Sequence, residues 1–158
     1  MFGLESKDYF SLGLGGAGFI LSLAIWVRTI RREYRRLELK VSPTVFAYAN
    51  GEISTQMASI DVINIGSRPV TVKAPTLRAP NGKFFAFVGV DDFKRFPKRL
   101  NDGESASLCV TYAEIARTLK KDDYSGVVKL IPCCLDATDA RYWGKKWKLD
   151  VGKDWMSK

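Results

Sequence analysis

The sequence contains one long stretch without a charged residue, residues 10–27, which reads FSLGLGGAGFILSLAIWV. Its 18 residues are close to the shortest helix that can cross a hydrocarbon core about 30 Å thick. Tyr9 and Trp26 lie at its two ends, where amphipathic aromatic rings favour the membrane interface. The sequence therefore predicts a single transmembrane helix over residues 10–27.

Two other interpretations of this stretch fit less well. A cleaved signal peptide needs a basic segment before the apolar run and small residues at a cleavage site after it. Here the preceding segment is slightly acidic, and the run continues directly into WVRTIRREYRR. A buried helix of a globular core is also disfavoured, because this run is apolar on all sides and contains four glycines.

The charges on the two flanks predict the orientation. Lysine and arginine are enriched on the cytoplasmic side of membrane helices, and five arginines follow the apolar stretch within nine residues. We expect a single-pass protein of the inner (cytoplasmic) membrane, with residues 1–9 outside, residues 28–40 as a basic juxtamembrane helix or linker, and the remaining chain in the cytoplasm. The arginines expected to contact anionic lipid at the membrane surface are Arg28, Arg31, Arg32, Arg35 and Arg36.

Four small residues share one stripe of the predicted helix. Ser11, Gly15, Gly18 and Ser22 follow one another at steps of four, three and four residues. Small residues let membrane helices approach closely, so this stripe is a candidate surface for helix–helix packing. The alternative is that glycine is simply frequent in membrane helices.

After Pro43 the pattern predicts a small, mainly β domain over residues 41–152, followed by a short tail over 153–158. Short runs rich in β-branched and aromatic residues alternate with turn residues. The clearest predicted elements are a strand over Ser105–Thr111, a helix over Tyr112–Lys121 and a continuously apolar strand over Gly126–Leu135.

The run Tyr142–Val151 alternates with a period of two, which predicts one half-buried strand. In this prediction Trp143, Trp147, Leu149 and Val151 share the buried face. Lys146, Lys148 and Asp150 share the exposed face.

The placement of turns in IDVINIGSRPVTVKAPTLRAPNGK, LNDGES and DYSGVVKL resembles that of immunoglobulin-like or fibronectin-like domains in bacterial membrane-anchored proteins. The resemblance covers roughly residues 56–151, and Tyr124 resembles the tyrosine corner of such domains. It implies an immunoglobulin-like β-sandwich of about seven strands, with one short helix before the penultimate strand. It implies a binding role and brings no catalytic residues. A single β-barrel is the alternative fold.

No catalytic, cofactor or metal site is predicted. The chain has no histidine, which excludes the commonest general base and the commonest metal ligand. Its three cysteines, Cys109, Cys133 and Cys134, fit no zinc motif and are expected to be reduced and unpaired. The carboxylate pairs Asp91-Asp92 and Asp122-Asp123 lie in predicted loops beside lysines and arginines, and we expect them to be solvated.

Two basic segments are candidates for binding an anionic ligand. The loop segment FKRFPKR combines four cations with two aromatic rings, a combination in which the cations can bind phosphates while the rings stack on bases or insert into a bilayer. A second group of lysines lies on the predicted outward face of the last strand. The alternative for the loop is that Phe93 or Phe96 fills one end of the domain while the cations are solvated. The candidate residues are Lys94, Arg95, Lys98, Arg99, Lys145, Lys146 and Lys148.

An enzyme is the least favoured of three possible functions, because the chain has no histidine and no nucleophile motif. The observations favour the other two. The first is a non-enzymatic, single-pass membrane protein whose β domain binds a partner protein at the cytoplasmic face. The alternative is a membrane effector whose β domain senses an anionic ligand, a nucleotide or nucleic acid, and whose transmembrane helices oligomerise to perturb the membrane. The expected partners are therefore the lipid bilayer, a partner protein or second copy, and, in the alternative, a nucleotide or nucleic acid. No cofactor is expected.

Overall fold

The computed structural model describes residues 18–29 and 36–155. The chain divides into two compact units, residues 1–34 and residues 35–158. In the first unit, residues 18–29 form a helix, α1, in which the Thr29 hydroxyl donates a hydrogen bond to the Ile25 carbonyl at 2.9 Å. Its large apolar side chains are exposed; they are Phe19, Ile20, Leu21, Leu23, Ile25, Trp26 and Val27.

The predicted transmembrane helix over residues 10–27 is contradicted. Within the described ranges, no helix is both long enough and apolar enough to cross a membrane. The predicted location of a single-pass protein in the inner membrane, with the N-terminus outside and the β domain cytoplasmic, is wrong for the same reason.

The residues assigned to membrane and helix contacts are only partly described. Gly18, Ser22 and Arg28 lie on α1 and are exposed, and Arg36 is exposed just before the first strand. The others lie outside the described residues: Ser11, Gly15, Arg31, Arg32 and Arg35.

The second unit is mainly β. Its helices are a short 3-10 helix, Asp91–Arg95, and α2, Tyr112–Lys121. Its ten strands are β1 (Leu37–Thr44), β2 (Met57–Asn64), β3 (Val70–Val72), β4 (Thr76–Arg78), β5 (Phe84–Phe85), β6 (Lys98–Leu100), β7 (Ser105–Thr111), β8 (Val127–Leu135), β9 (Arg141–Trp143) and β10 (Trp147–Asp150).

The prediction of about seven strands is corrected to ten. The predicted strand over Tyr142–Val151 is broken into β9 and β10, and β6 forms inside the predicted loop segment FKRFPKR. Because β9 and β10 both follow β8, α2 precedes the third strand from the end rather than the penultimate one. By contrast, the predicted bounds of β7 and α2 match the observed ones. The Thr111 hydroxyl accepts a hydrogen bond from the Glu114 backbone N–H at 3.1 Å and caps α2.

The strands form three antiparallel sheets. The first has the order β1-β2-β7, the second has the order β10-β8-β4-β5 with β9 also paired to β8, and the third joins β3 to β6. The first and second sheets pack their apolar sides into one core, where Ile60, Leu77, Leu108 and Leu130 are fully buried. Burying a side chain of this size stabilises the fold by roughly 1.5–3 kcal/mol. The apolar side of α2 joins the same core through Ile115 and Leu119.

A buried amide connects two turns at one end of the domain. The Asn64 side chain is fully buried, and its Nδ2 donates to the backbone carbonyls of Arg68, Leu100 and Asn101 at 2.9–3.1 Å. Its Oδ1 accepts a hydrogen bond from the Gly66 N–H at 3.0 Å. A buried amide without such partners would cost about 1–3 kcal/mol, so this network sets the path of both turns.

The pairing register changes between β9 and β10. Trp143 lies opposite Cys133 and Trp147 lies opposite Leu130, so residues 144–146 are three residues opposite the two residues 131–132. One extra residue in one strand is a β-bulge, which shifts the alternation of side chains. Trp143 therefore lies on the outward face of the second sheet, whereas Trp147 packs against the core. The prediction that both rings share the buried face is wrong.

Gly144, the first residue of the bulge, allows a close approach of two strands. A Cβ at this position would lie 2.6 Å from Pro132 Cγ, 2.8 Å from the Leu39 carbonyl oxygen and 2.9 Å from Leu39 Cβ. The Gly144 N–H donates to the Pro132 carbonyl at 2.8 Å, which fixes the backbone at the point of contact. A side chain at this position would therefore push β1 away from β8.

We expect Gly144→Ala to lower the free energy of unfolding by about 1–3 kcal/mol, the usual cost of overpacking. The measurement is urea unfolding followed by circular dichroism. Gly89→Ala is the matched control, because no atom lies within 4 Å of the added methyl. Equal stability of Gly144→Ala and Gly89→Ala would contradict the close approach.

A polar corner joins the β4–β5 turn to the end of α2. The Tyr124 hydroxyl accepts a hydrogen bond from the Asn81 N–H at 3.3 Å. This hydroxyl therefore contacts a turn that is distant in sequence, and not the backbone a few residues before Tyr124. Asp122 accepts hydrogen bonds from Asn81 Nδ2 at 3.2 Å and from Lys83 Nζ at 2.5 Å. The hydrogen bond from Lys83 lowers the pKa of Asp122 below its ordinary value of 3.8.

Because the folded-state pKa of Asp122 is depressed, its contribution to stability is present above the unfolded value near 3.8 and is lost as the pH falls through the folded value. We expect the free energy of unfolding to decrease over this acid range, and Asp122→Asn to reduce the decrease. Urea unfolding at several pH values between about 6 and 3 measures it. Asp102→Asn is the control, since Asp102 is exposed and forms no ion pair with another described residue. An identical acid response of both variants would refute the assignment.

Candidate functional site

The predicted basic loop does not present a set of free cations. Lys94 pairs with Asp91 at 3.1 Å, and Arg95 pairs with Asp92 at 3.3 Å, within the 3-10 helix. Lys98 lies on β6, where its ammonium group donates to the Ser105 carbonyl at 3.2 Å. Arg99 is exposed on the same strand, and both phenylalanines of the segment, Phe93 and Phe96, pack against the core. Three of the four cations in this segment therefore already contact a neighbouring acceptor group.

A denser group of cations lies on the outward side of the second sheet. Asp150 also projects from this side, where its carboxylate accepts a hydrogen bond from the Gly152 N–H at 2.9 Å. The outer face, as the name is used here, is the set of four cations and two aromatic rings that project from this side, on five strands. Their positions follow from the pairing of each strand with β8 or with β4. The outer face consists of Arg78, Phe84, Lys129, Arg141, Trp143 and Lys148.

The two arginines lie against the two rings. The Arg78 Cζ is 5.3 Å from the centroid of the Trp143 ring, and the Arg141 Cζ is 5.0 Å from the Phe84 ring and 5.6 Å from the Trp143 ring. The ring centroids are 6.1 Å apart, and the rings remain 44% and 43% exposed. A guanidinium stacked on a ring keeps N–H groups at its edge for a further partner.

The two lysines of the outer face lie directly opposite each other in the sheet. Lys148 on β10 is the cross-strand partner of Lys129 on β8, and both are exposed. Like charges in this relation are destabilising. Within the described part of the chain, none of the four cations of the outer face has a carboxylate within ion-pairing distance. Their charges are therefore available to an external anion.

Three of the predicted anion-binding lysines lie in or beside the outer face. Lys148 belongs to it, and Lys145 and Lys146 lie in the bulge between β9 and β10. These two lysines and Trp143 border a cavity of about 540 Å³ that reaches β1. Sequence reasoning missed Arg78, Phe84, Lys129, Arg141 and the outward position of Trp143. Outward alternation along β8 indicated Lys129, but no sequence pattern showed which strands would pair beside it.

The three cysteines are free and buried. Cys133 lies on the outward side of β8, opposite Trp143, and is only 2% exposed. Burial raises its pKa, while Arg141 and Arg78 oppose the rise. Cys134 points to the inner side, and burial raises its pKa to about 12. Cys109 lies on β7, and burial raises its pKa as well. The three thiols are therefore small buried side chains that are held in the protonated form.

Comparison with known proteins adds no family to this description. No protein-family model and no curated protein matches the chain. Among solved structures, the chain is similar to the X-ray structure of target SoR45 of the Northeast Structural Genomics Consortium. The similarity has 13% sequence identity and a TM-score of 0.28, and it covers 75% of this chain and 88% of that chain. The resemblance to immunoglobulin-like domains of membrane-anchored proteins stays a prediction.

We expect the three thiols of the folded protein to react slowly with iodoacetamide, with Cys134 the slowest, because the thiolate is the reacting form. Mass spectrometry of peptides after timed alkylation at about pH 8 measures the order. The same reaction in urea, where all three thiols are accessible, is the control. Alkylation of Cys134 ahead of Cys109 in the folded protein would contradict the burial described here.

Proposed function

We propose that this chain is a non-enzymatic binding module whose ligand is anionic and lies on the outer face. The observation that carries the proposal is the placement of Arg78, Lys129, Arg141 and Lys148 on one side of one sheet without acidic partners among the described residues. A surface that concentrates one sign of charge attracts ligands of the opposite sign and raises their association rate.

Folding stability gives no reason for placing Lys129 opposite Lys148. Opposite charges across a strand pair contribute roughly 0.2–1 kcal/mol, so a glutamate at either lysine position would stabilise the sheet more than the observed pair. Some exposed lysines elsewhere in the domain have acidic partners: Lys73 pairs with Asp139, and Lys83 pairs with Asp122. The absence of such pairing on the outer face supports a ligand that supplies the negative charge.

The groups on the outer face are suited to binding. Guanidinium and ammonium groups donate hydrogen bonds to phosphate or carboxylate oxygens. The thiol closest to them, Cys133, is buried and has a raised pKa, so it is not an activated nucleophile. Of the two predicted functions, this geometry favours the alternative, but only the part in which the β domain binds an anionic ligand. Binding of a partner protein stays a prediction.

We expect the full-length chain to bind inorganic polyphosphate, and Lys129→Gln/Lys148→Gln to weaken that binding about tenfold or more at low salt. The slope of log affinity against log salt concentration should become less negative by about one to two, because two phosphate contacts are lost. Titration calorimetry at several salt concentrations measures both quantities.

The matched control is Lys73→Gln/Lys94→Gln, which removes the same total charge from lysines that already pair with Asp139 and Asp91. Its affinity for polyphosphate should stay within about twofold of the wild-type value. Equal losses in the two double variants would show that only net charge matters. No binding by the wild-type chain at low salt would overturn the proposal.

A further inference from the structure

We infer that the anionic ligand is a single-stranded nucleic acid whose bases stack on the aromatic rings of the outer face. The inference rests on the proposed function and adds the chemical class of the ligand. Cations alone would suffice for a ligand that carries only phosphates. Phe84 and Trp143, 44% and 43% exposed among these cations, offer π-surfaces to a ligand that also carries planar apolar groups.

The bulge at residues 144–146 is the first argument that the Trp143 ring serves a ligand. In an unbroken strand that keeps the register of Trp147 with Leu130, Trp143 would lie opposite Cys134. It would then face the core, on the same side as Trp147 and Leu149. The bulge turns this large side chain outward, between Arg78 and Arg141. Bulges of this kind are enriched beside functional sites, where they redirect a side chain.

The spacing of rings and guanidiniums is the second argument. Each arginine lies 5.0–5.6 Å from a ring centroid, so positive charge and stacking surface occur side by side. Nucleic acid presents the same alternation, with a base and a phosphate in every nucleotide. Aromatic rings and guanidinium planes both stack on unpaired bases, while the N–H edge of an arginine and the ammonium groups of Lys129 and Lys148 contact phosphates.

The shape of the surface is the third argument, and it selects a single strand. The outer face is the side of a sheet, and the β5-β4-β8-β10 path across it is about 14 Å wide at the usual strand spacing. A lone nucleotide is normally enclosed by a concave pocket, which an open sheet side does not provide. In a duplex the base faces are stacked on one another, and its grooves are read by an inserted helix or two-stranded ribbon. An extended single strand exposes the base faces that Phe84 and Trp143 fit.

The test compares two ligands and one ring-removing variant. We expect the full-length chain to bind a fluorescently labelled oligothymidylate of about 12 nucleotides, measured by anisotropy. Phe84→Leu/Trp143→Leu should weaken this binding about tenfold or more, because stacking on a base is lost at each ring. Its affinity for inorganic polyphosphate should stay within about twofold of the wild-type value, because the four cations remain.

The chain offers a matched aromatic control. Phe46 and Tyr48 are 42% and 56% exposed, and the segment 45–56 around them carries no lysine or arginine. Phe46→Leu/Tyr48→Leu should therefore leave the oligothymidylate affinity unchanged. An equal loss in this variant would place the contact elsewhere and overturn the inference.

The remaining outcomes separate the inference from the proposed function. If Phe84→Leu/Trp143→Leu binds oligothymidylate normally while Lys129→Gln/Lys148→Gln weakens both ligands, base stacking is refuted and anion binding stands. If neither ligand binds the wild-type chain, both proposals fail. Tighter binding of the matching duplex than of the single strand would also refute the inference. Should Trp143→Leu prevent cooperative unfolding, Phe84→Leu alone carries the test, since Phe84 lies on a two-residue edge strand.

Discussion

The register of β8 with its neighbours is the constraint on which both the core and the outer face depend. Its inward side chains, Val128 and Leu130, are in the core shared by the first two sheets. Its outward side chains alternate with them and lie beside Arg78, Trp143, Arg141 and Lys148 on the paired strands. Since side chains alternate with a period of two, a slip of one residue would exchange the two sets. The apolar core therefore holds the outer face in place.

Local structure was predictable where it depends on residues close in sequence. The pattern of Ser105–Thr111, the capping pair Thr111 and Glu114, and the apolar spacing of α2 together define a strand followed by a helix. The bulge was not predictable in the same way. Trp143 and Trp147 are four residues apart, so both an unbroken strand and a broken one leave the period-two pattern of the sequence intact. Only the two residues on β8 opposite residues 144–146 show the change, and that pairing is not local.

The same distinction between local and non-local contacts explains why sequence reasoning missed most of the outer face. Charge density along the chain indicated the segment around Lys94 and Arg95, yet the carboxylates three residues before them pair with these cations. Arg78, Lys129 and Arg141 stand apart in the sequence and meet only through strand pairing. The apolar run over residues 10–27 gave a strong hydropathy signal, but no helix among the described residues is long and apolar enough to cross a membrane. Composition thus indicated a basic protein, and topology determines where its cations come together.

The outer face contributes little to the stability of the domain that holds it. Exposed cation–π contacts such as those of Arg78 and Arg141 contribute about 0.5–1 kcal/mol each, and the repulsion between Lys129 and Lys148 offsets part of this. The core leucines below the sheet contribute several times as much per side chain. The sheet can therefore tolerate an unfavourable arrangement of charge on one side because its stability comes from the other. We therefore expect that the residues of the outer face can be replaced at a smaller cost in stability than the core residues, which is the condition for assigning their effects to a ligand.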